Sequence, residues 1–256
     1  MTYEDILAFE KHYVAMFSSI EATRYGYIAS DSMQRDKYYH NYLHVYKTNQ
    51  ISQNELGDYE AAYKKYGHVH FRFEEKPTGF EDVLKDYKPS VNGYYWAPIN
   101  DVKIPKVKSF DIQIIEPSIK ESFCHYLYLE NREYGEQFSV NNAIRQWEVL
   151  MKQTDYRYFY AILDGHIVGS INVTWSDQCA KIDDFTVLEP YRHQGIGSAL
   201  MAHAISFLKT KQTKFVYLVT DMNDTPRFMY EKWGYHHLSS CYHFIKVYPN
   251  LSEETK

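Results

Sequence analysis

The sequence contains only three cysteines in 256 residues, at Cys124, Cys179 and Cys241. They are far apart, odd in number and never spaced as C-x-x-C, so the sequence indicates neither a disulfide framework nor a cysteine-based zinc site. Few and scattered cysteines are typical of a protein in a reducing compartment. We therefore expect the protein to be cytoplasmic.

Recognisable metal-binding motifs are missing as well. The sequence has no H-E-x-x-H motif, and no histidine pair has further ligands at a spacing that a metal site would need. The close pairs are His40 and His44, His68 and His70, and His236 and His237. The sequence therefore predicts no metal site.

Long apolar runs and an excess of positive charge are also lacking. No stretch has the apolar length of a membrane span, and the N-terminus is acidic at Glu4 and Asp5 instead of basic and then apolar. The formal net charge of -5 disfavours a general affinity for nucleic acid or for anionic membranes. We expect neither as a partner.

Two parts of the sequence differ in their pattern. Residues 1–105 mix helical and strand-like segments around a tyrosine-rich stretch, whereas residues 106–256 show a regular succession of elements. We place the boundary in the segment that contains Pro105, which has no strong period. The predicted helices are 4–18, 54–66, 80–87, 118–133, 140–152, 195–210 and 225–233, and the predicted strands are 68–73, 91–97, 110–115, 156–163, 166–175, 181–188, 215–220 and 243–247.

The segment from Val187 to Leu200 passes from a β-rich run through a proline turn into a helical run. Gly195 and Gly197 remove side chains where the backbone must come close to a ligand, and the free N–H groups at the start of the helix form a concave site for anionic oxygen. Arg192 adds a fixed positive charge. Such a junction suits a pyrophosphate.

The junction differs from two other phosphate-binding motifs. The dinucleotide fingerprint G-x-G-x-x-G needs a third glycine where this sequence has Leu200. A P-loop needs a lysine and a hydroxyl residue, but Ser198 and Ala199 follow the second glycine here. A G-x-G spacing is also typical of a tight turn before a helix. The glycines alone therefore do not predict which ligand binds, and further residues are needed.

The wider segment matches a known family. Arg192-x-x-Gly195-x-Gly197, with Gln194 inside it, resembles the pyrophosphate loop of the GNAT superfamily of acyl-CoA-dependent N-acyltransferases. In that family the preceding strand opens away from its neighbour and offers backbone groups to the pantetheine arm. The resemblance places this opening at Phe185, Thr186 and Val187.

A second segment is similar to the same family. Asn223, Tyr230 and Gly234-Tyr235 follow its pattern N-x(6)-Y-x-x-x-G-[FY], in which the asparagine contacts the pantetheine or the acceptor. The tyrosine of the pattern protonates the departing coenzyme A thiolate, so the resemblance implies that Tyr230 is a general acid. Pro226 stands where the family usually has alanine, and we expect it to shift the helix start without abolishing the site.

A base is also needed, because an amine acceptor is mostly protonated at neutral pH. Asp183 and Asp184 lie on the strand that leads to the opening, and they project to opposite faces, so at most one can point into the cleft. We favour Asp184, and a water relay is an equally open alternative. A backbone N–H near Thr186 or Val187 would stabilise the oxyanion.

The resemblance covers about residues 110–247. It implies an α/β (α+β) fold with a GNAT-type mixed central sheet flanked by helices at residues 106–256. The pattern of residues 1–105 predicts an additional α+β domain before it, which is open to interpretation as a degenerate GNAT-like half. The resemblance also implies acetyl-CoA as cosubstrate. The residues that would bind it are Phe185, Thr186, Val187, Arg192, His193, Gln194, Gly195, Ile196, Gly197, Ser198, Asn223 and Tyr230.

We therefore expect an N-acetyltransferase that transfers an acetyl group from acetyl-CoA to a primary amine by direct attack. The acceptor is a small molecule or a peptide, and the sequence does not choose between them. Two alternatives stay open: a non-catalytic CoA-binding regulatory module, and an aminoacyl-tRNA-dependent transferase of the same fold. The sequence contains no coiled coil or symmetric patch that would indicate an oligomeric state.

Overall fold

Seven α-helices and eleven β-strands occur in residues 2–106 and 108–248, the part of the chain that the computed structural model describes. The helices are α1 (Tyr3–Ala15), α2 (Gln53–Tyr63), α3 (Glu81–Leu84), α4 (Lys120–Asn131), α5 (Glu136–Lys152), α6 (Ile196–Thr210) and α7 (Pro226–Lys232). The strands are β1 (Ser19–Ala22), β2 (Gly26–Ser30), β3 (Tyr42–Val45), β4 (His68–Phe73), β5 (Lys88–Pro98), β6 (Asp111–Ile114), β7 (Tyr156–Leu163), β8 (His166–Trp175), β9 (Cys179–Val187), β10 (Phe215–Asp221) and β11 (His236–Val247).

The described residues fall into two compact units. The first unit contains residues 2–13, 94–106, 108–220 and 224–238, and the second contains 14–93, 221–223 and 239–248. Both units draw on distant parts of the chain, so they do not correspond to a cut at one residue. The domain boundary between residues 105 and 106 stays a prediction.

The first unit has the strand order β5-β10-β9-β8-β7-β6. Strands β9 and β10 are parallel, and the pairs β8–β9, β7–β8 and β6–β7 are antiparallel. The turn between β7 and β8 is the predicted Asp164-Gly165, with both residues at positive φ as a two-residue hairpin of this kind requires. Helix α6 packs on β7, β8 and β9, and α4 and α5 pack on each other.

Tyrosines fill much of the interior of the first unit. Five of its fully buried large side chains are Tyr126, Tyr156, Tyr158, Tyr217 and Tyr235. A buried tyrosine covers a large apolar surface and needs a partner for its hydroxyl. Tyr156, for example, donates to Gln146 Oε1 at 3.0 Å. These tyrosines are therefore core residues of the first unit.

The second unit has the strand order β1-β2-β3-β4-β11. Strands β3 and β4 are parallel and the other described pairs are antiparallel. Helix α2 begins with a capping box, in which Ser52 Oγ accepts from the Glu55 N–H and Glu55 Oε2 accepts from the Ser52 N–H. Its core is an apolar cluster that includes Leu43, Leu56 and Phe71.

Most predicted elements are confirmed, and the errors have physical causes. Strands β4, β7 and β8 have the predicted bounds. The prediction missed β1, β2 and β3, because these are short strands of mixed polarity, and in β3 a histidine occupies a fully buried position. Strand β11 begins at His236 and not at 243, because its first residues are polar and partly exposed. None of the helices in the described part of the chain has the length and apolar composition to span a membrane.

Candidate functional site

Strands β9 and β10 separate part of the way along their length. They are paired in parallel only over Cys179–Ile182 of β9 and Phe215–Leu218 of β10. Beyond Ile182, β9 continues to Val187 beside β8. The backbone groups of this part of β9 that point away from β8 have no ladder partner on β10. The resemblance placed an opening at Phe185, Thr186 and Val187, and all three lie in this part of β9.

A β-bulge lies at the opening. Asp183 pairs with Asn172 and Thr186 pairs with Ser170, so that two residues of β9 oppose one residue of β8. Asp184, the first of the two, has a positive φ of 41°. A bulge bends its strand and increases the local twist. It therefore turns the end of β9 away from the straight path that pairing with β10 would require.

The loop after β9 leads into α6. His193 and Gly195 have positive φ values of 61° and 90°, and the first i→i−4 bond of α6 runs from the Ala199 N–H to the Gly195 carbonyl at 3.0 Å. The amides that precede Ala199 at the start of the helix are therefore not used by the helical hydrogen-bond ladder. They are available to an anion.

The loop after β9 and the first turn of α6 both lie close to the end of β9. Arg192 Nε donates to the Val187 carbonyl at 2.9 Å, which ties the guanidinium to the end of β9. A Cβ at Gly197 would lie 3.2 Å from Cζ of Phe185, so a larger residue in the first turn of α6 would press on that ring. The second glycine of the motif is therefore explained by the close approach of α6 to β9.

A cavity of about 700 Å³ lies between the end of β9, the start of α6 and helix α7. Its volume is within the range of roughly 300–1,000 Å³ that is usual for sites of small ligands. It brings together ten of the predicted site residues, which are Phe185, Thr186, Val187, Arg192, His193, Gly195, Ile196, Gly197, Ser198 and Tyr230.

Three predicted site residues do not line this cavity. Gln194 donates weakly to the Pro190 carbonyl at 3.5 Å, and the Asn223 N–H donates to Asp221 Oδ1 at 2.7 Å. Asp184 is held by side chains of β7, β8 and α5. Their assignments stay predictions.

Tyr230 lines the cavity from α7 and is 8% exposed. Burial raises the pKa of its hydroxyl well above the ordinary value, and the negative charges of Asp183 and Asp224 raise it further. The hydroxyl therefore stays protonated at neutral pH and is a hydrogen-bond donor there. Its ring makes edge-on contacts with Trp233 and Tyr235, each at 6.0 Å between centroids.

Gly234 and Tyr235 end α7 with a Schellman motif. The Tyr235 N–H donates to the Tyr230 carbonyl and the Gly234 N–H donates to the Glu231 carbonyl, which are the two bonds that define this motif. Gly234 has a φ of 93°, and a Cβ there would lie 2.9 Å from the Asp101 carbonyl oxygen. The spacing from Tyr230 to Gly234 is thus the geometry that closes a short helix. Pro226 is the first residue of α7, as expected.

The two neighbouring aspartates of β9 have different partners. Asp183 Oδ2 lies 2.9 Å from Lys181 Nζ. Partial burial acts to raise the pKa of Asp183, but the ammonium of Lys181 lowers it overall.

The carboxylate of Asp184 is enclosed by polar side chains of β7, β8 and α5. Its Oδ2 atom accepts hydrogen bonds from Gln146 at 3.1 Å, from Asn172 at 3.0 Å and from the Tyr158 hydroxyl. Because these donors fix Asp184 and it does not line the cavity, any transfer of a proton to it would need a mobile water.

Sequence reasoning missed five residues that line the cavity: Tyr191, Asp224, Thr225, Pro226 and Met229. Four of them lie between Asn223 and Tyr230, within the motif that the sequence had already marked. Their position at the start of a short helix that faces an opening was the only available signal.

A parallel pair that splits at a bulge, followed by a glycine-lined helix start, places free backbone amides beside the sheet of an α/β protein. Comparison with known proteins shows which family this arrangement resembles. Residues 121–235 match the model of the acetyltransferase (GNAT) family. An N-alpha-acetyltransferase from Sulfolobus acidocaldarius is 24% identical over 180 residues, covering 64% of this chain and 91% of that protein.

Solved structures share the fold over nearly the whole chain. A conserved protein of unknown function from Staphylococcus epidermidis is 24% identical, with a TM-score of 0.74 over 97% of this chain and 98% of that one. A GCN5-related N-acetyltransferase from Kribbella flavida is 11% identical, with a TM-score of 0.67 over 99% of both chains. These likenesses confirm the predicted fold class.

The match of residues 121–235 to the GNAT acetyltransferase family model confirms the resemblance recognised in the sequence. The family match and the Sulfolobus relative support an acetyltransferase.

Proposed function

We propose that this protein transfers the acetyl group of acetyl-CoA directly to a primary amine. The observation that carries the proposal is the single cavity surface on which the start of α6, the open end of β9 and the hydroxyl-bearing side chain of Tyr230 meet. These three features supply an anion site, backbone donors and a proton donor. A thioester transfer needs all three.

The residues present fit the pyrophosphate of coenzyme A. The backbone amides before Ala199 are free of the helical ladder, and positive φ at Gly195 lets the chain turn sharply into α6. The positive end of the helix dipole and the Arg192 guanidinium both favour an anion at this place. We propose that residues 192–198 hold the pyrophosphate and that Phe185, Thr186 and Val187 lie along the pantetheine arm.

When bound, the cosubstrate supplies an activated acetyl group as a thioester. The chain's own contribution begins with the β9 backbone, where alternate N–H groups beyond Ile182 point away from β8 and can donate to the thioester oxygen. Donors fixed in a strand need little reorganisation as negative charge develops on that oxygen. Thr186 and Val187 are the proposed positions of this donor.

Tyr230 is the proposed general acid. Its raised pKa keeps the proton on the hydroxyl until a strong acceptor develops beside it. A departing thiolate is such an acceptor. The amine must also lose a proton, and the proposed base is Asp184 acting through water, or a water relay without it.

The test is an assay of free thiol release from acetyl-CoA against a panel of amines: 1,4-diaminobutane, lysine, alanine amide, an aminoglycoside and a peptide with a free N-terminus. Binding is measured in parallel by thermal unfolding with coenzyme A. At about a hundred times its dissociation constant, the ligand should stabilise the protein by roughly 2.7 kcal/mol.

The two measurements separate the possible outcomes. Thiol release that depends on one amine supports the proposal and identifies the class of acceptor. Coenzyme A binding without any transfer would favour a regulatory binding module. No calorimetric heat with coenzyme A, together with an empty cavity in soaked crystals, would overturn both.

A further inference from the structure

Three charged side chains form a chain of ion pairs inside the first unit. Lys181 Nζ lies 2.9 Å from Glu10 Oε1 on one side and 2.9 Å from Asp183 Oδ2 on the other. Glu10 comes from α1, which lies outside the segment 121–235 that matches the family model. The cluster therefore joins a residue outside the matched segment to strand β9 inside it.

Glu10 and Lys181 are buried, whereas Asp183, at the other end of the cluster, is partly exposed to water. The side chains of Glu10 and Lys181 are 2% and 7% exposed, whereas that of Asp183 is 34% exposed. Tyrosines fix the inner groups: the Tyr217 hydroxyl donates to Glu10 Oε1 at 3.0 Å, and Lys181 Nζ lies 3.8 Å from the centre of the Tyr13 ring. The cluster can therefore meet a ligand only at Asp183.

Asp183 lies at the start of the opening in the sheet, beside the residues that line the cavity and not among them. It is the first residue of β9 after the last pair with β10, and Phe185, two residues further along the same strand, lines the cavity. The negative charge of Asp183 also contributes to the raised pKa of Tyr230, after the effect of burial. Asp183 is thus electrostatically close to the proposed proton donor.

The cluster has two carboxylates and one ammonium, and so it carries a net negative charge. Glu10 and Lys181 form a buried pair of opposite charges. The remaining negative charge of the cluster therefore lies on Asp183, its partly exposed member. We propose, resting on the proposed function, that Asp183 binds the acceptor as an ammonium ion, and that Glu10 is a positioning residue that keeps Lys181 from neutralising Asp183. The acceptor is then a cationic amine without a carboxylate next to the amino group.

The proposal predicts what loss of Glu10 does. In Glu10→Gln, the ammonium of Lys181 has one carboxylate instead of two, and it neutralises Asp183. A cation at Asp183 should then bind roughly tenfold more weakly, as expected for the removal of one nearby unit charge in a partly shielded site. Glu10→Asp keeps the charge and should largely restore binding.

A direct test uses thallium(I), a monovalent ion close to ammonium in size, and does not depend on turnover. Crystals of the full chain are soaked in a thallium(I) salt, and the anomalous difference density is measured at Asp183. The wild type and Glu10→Asp should show a peak within bonding distance of the Asp183 carboxylate. The peak should be much weaker in Glu10→Gln and missing in Asp183→Asn.

A kinetic test uses alanine amide and alanine, which differ in the charge beside the amino group. Glu10→Gln should raise the KM for alanine amide about tenfold and leave the KM for acetyl-CoA unchanged, since only the acceptor meets the cluster. A merely structural role for Glu10 would change both constants or neither. The matched control is Glu148→Gln, which removes a carboxylate that pairs with Arg145 on the surface of α5.

The outcomes distinguish this proposal from the proposed function. If no amine is acetylated but thallium(I) binds at Asp183 in a Glu10-dependent manner, the proposed function fails and the cation site stands. If acetylation proceeds but wild-type crystals show no thallium(I) at Asp183, the cation site is overturned. A preference for alanine over alanine amide would also overturn it.

Discussion

Both compact units bury tyrosines, but in the described part of the chain every buried histidine lies in the second unit. These are His40, His44, His68, His70 and His243. The first unit instead buries the chain of Glu10 and Lys181 that ends at the partly exposed Asp183. The charged cluster of the first unit therefore extends from its interior to the candidate site, whereas the buried ionisable groups of the second unit stay inside its own core.

The histidines of the second unit form an ordered hydrogen-bond chain. The Tyr38 carbonyl can only accept, so His70 Nδ1 donates to it at 2.9 Å and His70 Nε2 accepts from His243 Nδ1 at 2.9 Å. His243 Nε2 then accepts from the Cys241 thiol at 3.3 Å. Both imidazoles are neutral in this arrangement. The second unit thus uses histidine as a structural hydrogen-bonding group, and the difference predicts how each unit responds to substitution and to pH.

The largest effect is expected from Glu74→Gln in the second unit. Glu74 Oε1 lies 2.9 Å from His44 Nε2 and 3.2 Å from Arg72 Nε, and all three side chains are almost fully buried. Removing one partner of a buried ion pair leaves the other charge uncompensated, so the free energy of unfolding should fall by about 3–5 kcal/mol. Urea denaturation measures this fall.

The control for Glu74→Gln is a more exposed pair in the same unit. Glu60 Oε1 lies 3.0 Å from Lys246 Nζ, and about a quarter of each side chain is exposed. Glu60→Gln should cost less than about 1 kcal/mol. If both variants lost the same free energy of unfolding, burial of the Glu74 ion pairs would not explain their contribution to stability.

The next effect is catalytic and belongs to the first unit. Tyr230→Phe removes the proposed proton donor, so the rate of acetyl transfer should fall about a hundredfold while coenzyme A binding stays unchanged. Tyr160→Phe is the control, because the Tyr160 hydroxyl bonds Gln113 Oε1 at 2.9 Å and does not line the cavity. Wild-type activity in Tyr230→Phe would remove the general acid from the proposed mechanism.

The sequence motifs located ten of the residues that line the cavity, whereas strands β1, β2 and β3 of the second unit were missed. The loop at Arg192 to Gly197 and the segment that carries Tyr230 are local motifs, in which the backbone conformation follows from the residues themselves. An opening of this strand, at Phe185 to Val187, was recognisable only through the resemblance. The separation of β9 from β10 after Ile182 accompanies a bulge against β8, and no local pattern in the sequence marks that bulge.

Contacts between residues that are far apart in the sequence could not be predicted from local patterns. The chain of Glu10, Lys181 and Asp183 joins α1 to β9 across most of the chain, and no local pattern marks Glu10 as buried. Strand β3 was missed because a polar residue, His44, occupies a core position where it pairs with Glu74. Such positions break the alternation of apolar and polar residues on which strand prediction depends.

The third effect is a loss of stability in acid. Burial lowers the pKa of His70 to about 3, in spite of its bond to the Tyr38 carbonyl. The unfolded chain then binds more protons than the folded one below about pH 6.5. The free energy of unfolding should therefore fall as the pH drops from 6.5 toward 3, with His70 contributing about 2 kcal/mol of the loss at pH 5.

The measurement compares unfolding at pH 7 and pH 5. His70→Gln should reduce the difference between the two values, and the exposed His125→Gln of the first unit should leave it as in the wild type. An unchanged difference in His70→Gln would mean that this imidazole is not held neutral by its surroundings.

The smallest effect compares one glycine from each unit. Gly234 of the first unit has a φ of 93° and would bring a Cβ to 2.9 Å from the Asp101 carbonyl oxygen, so Gly234→Ala should destabilise by about 1–2 kcal/mol. Gly57 lies inside α2 of the second unit, where an added methyl group would have no atom within 4 Å, so Gly57→Ala should stabilise by about 0.5–1 kcal/mol. Thermal unfolding measures both shifts. If Gly234→Ala proved neutral for stability but lowered the rate of acetyl transfer, the glycine after Tyr230 would serve the ligand and not the end of α7, and the explanation of the motif by helix termination would be wrong.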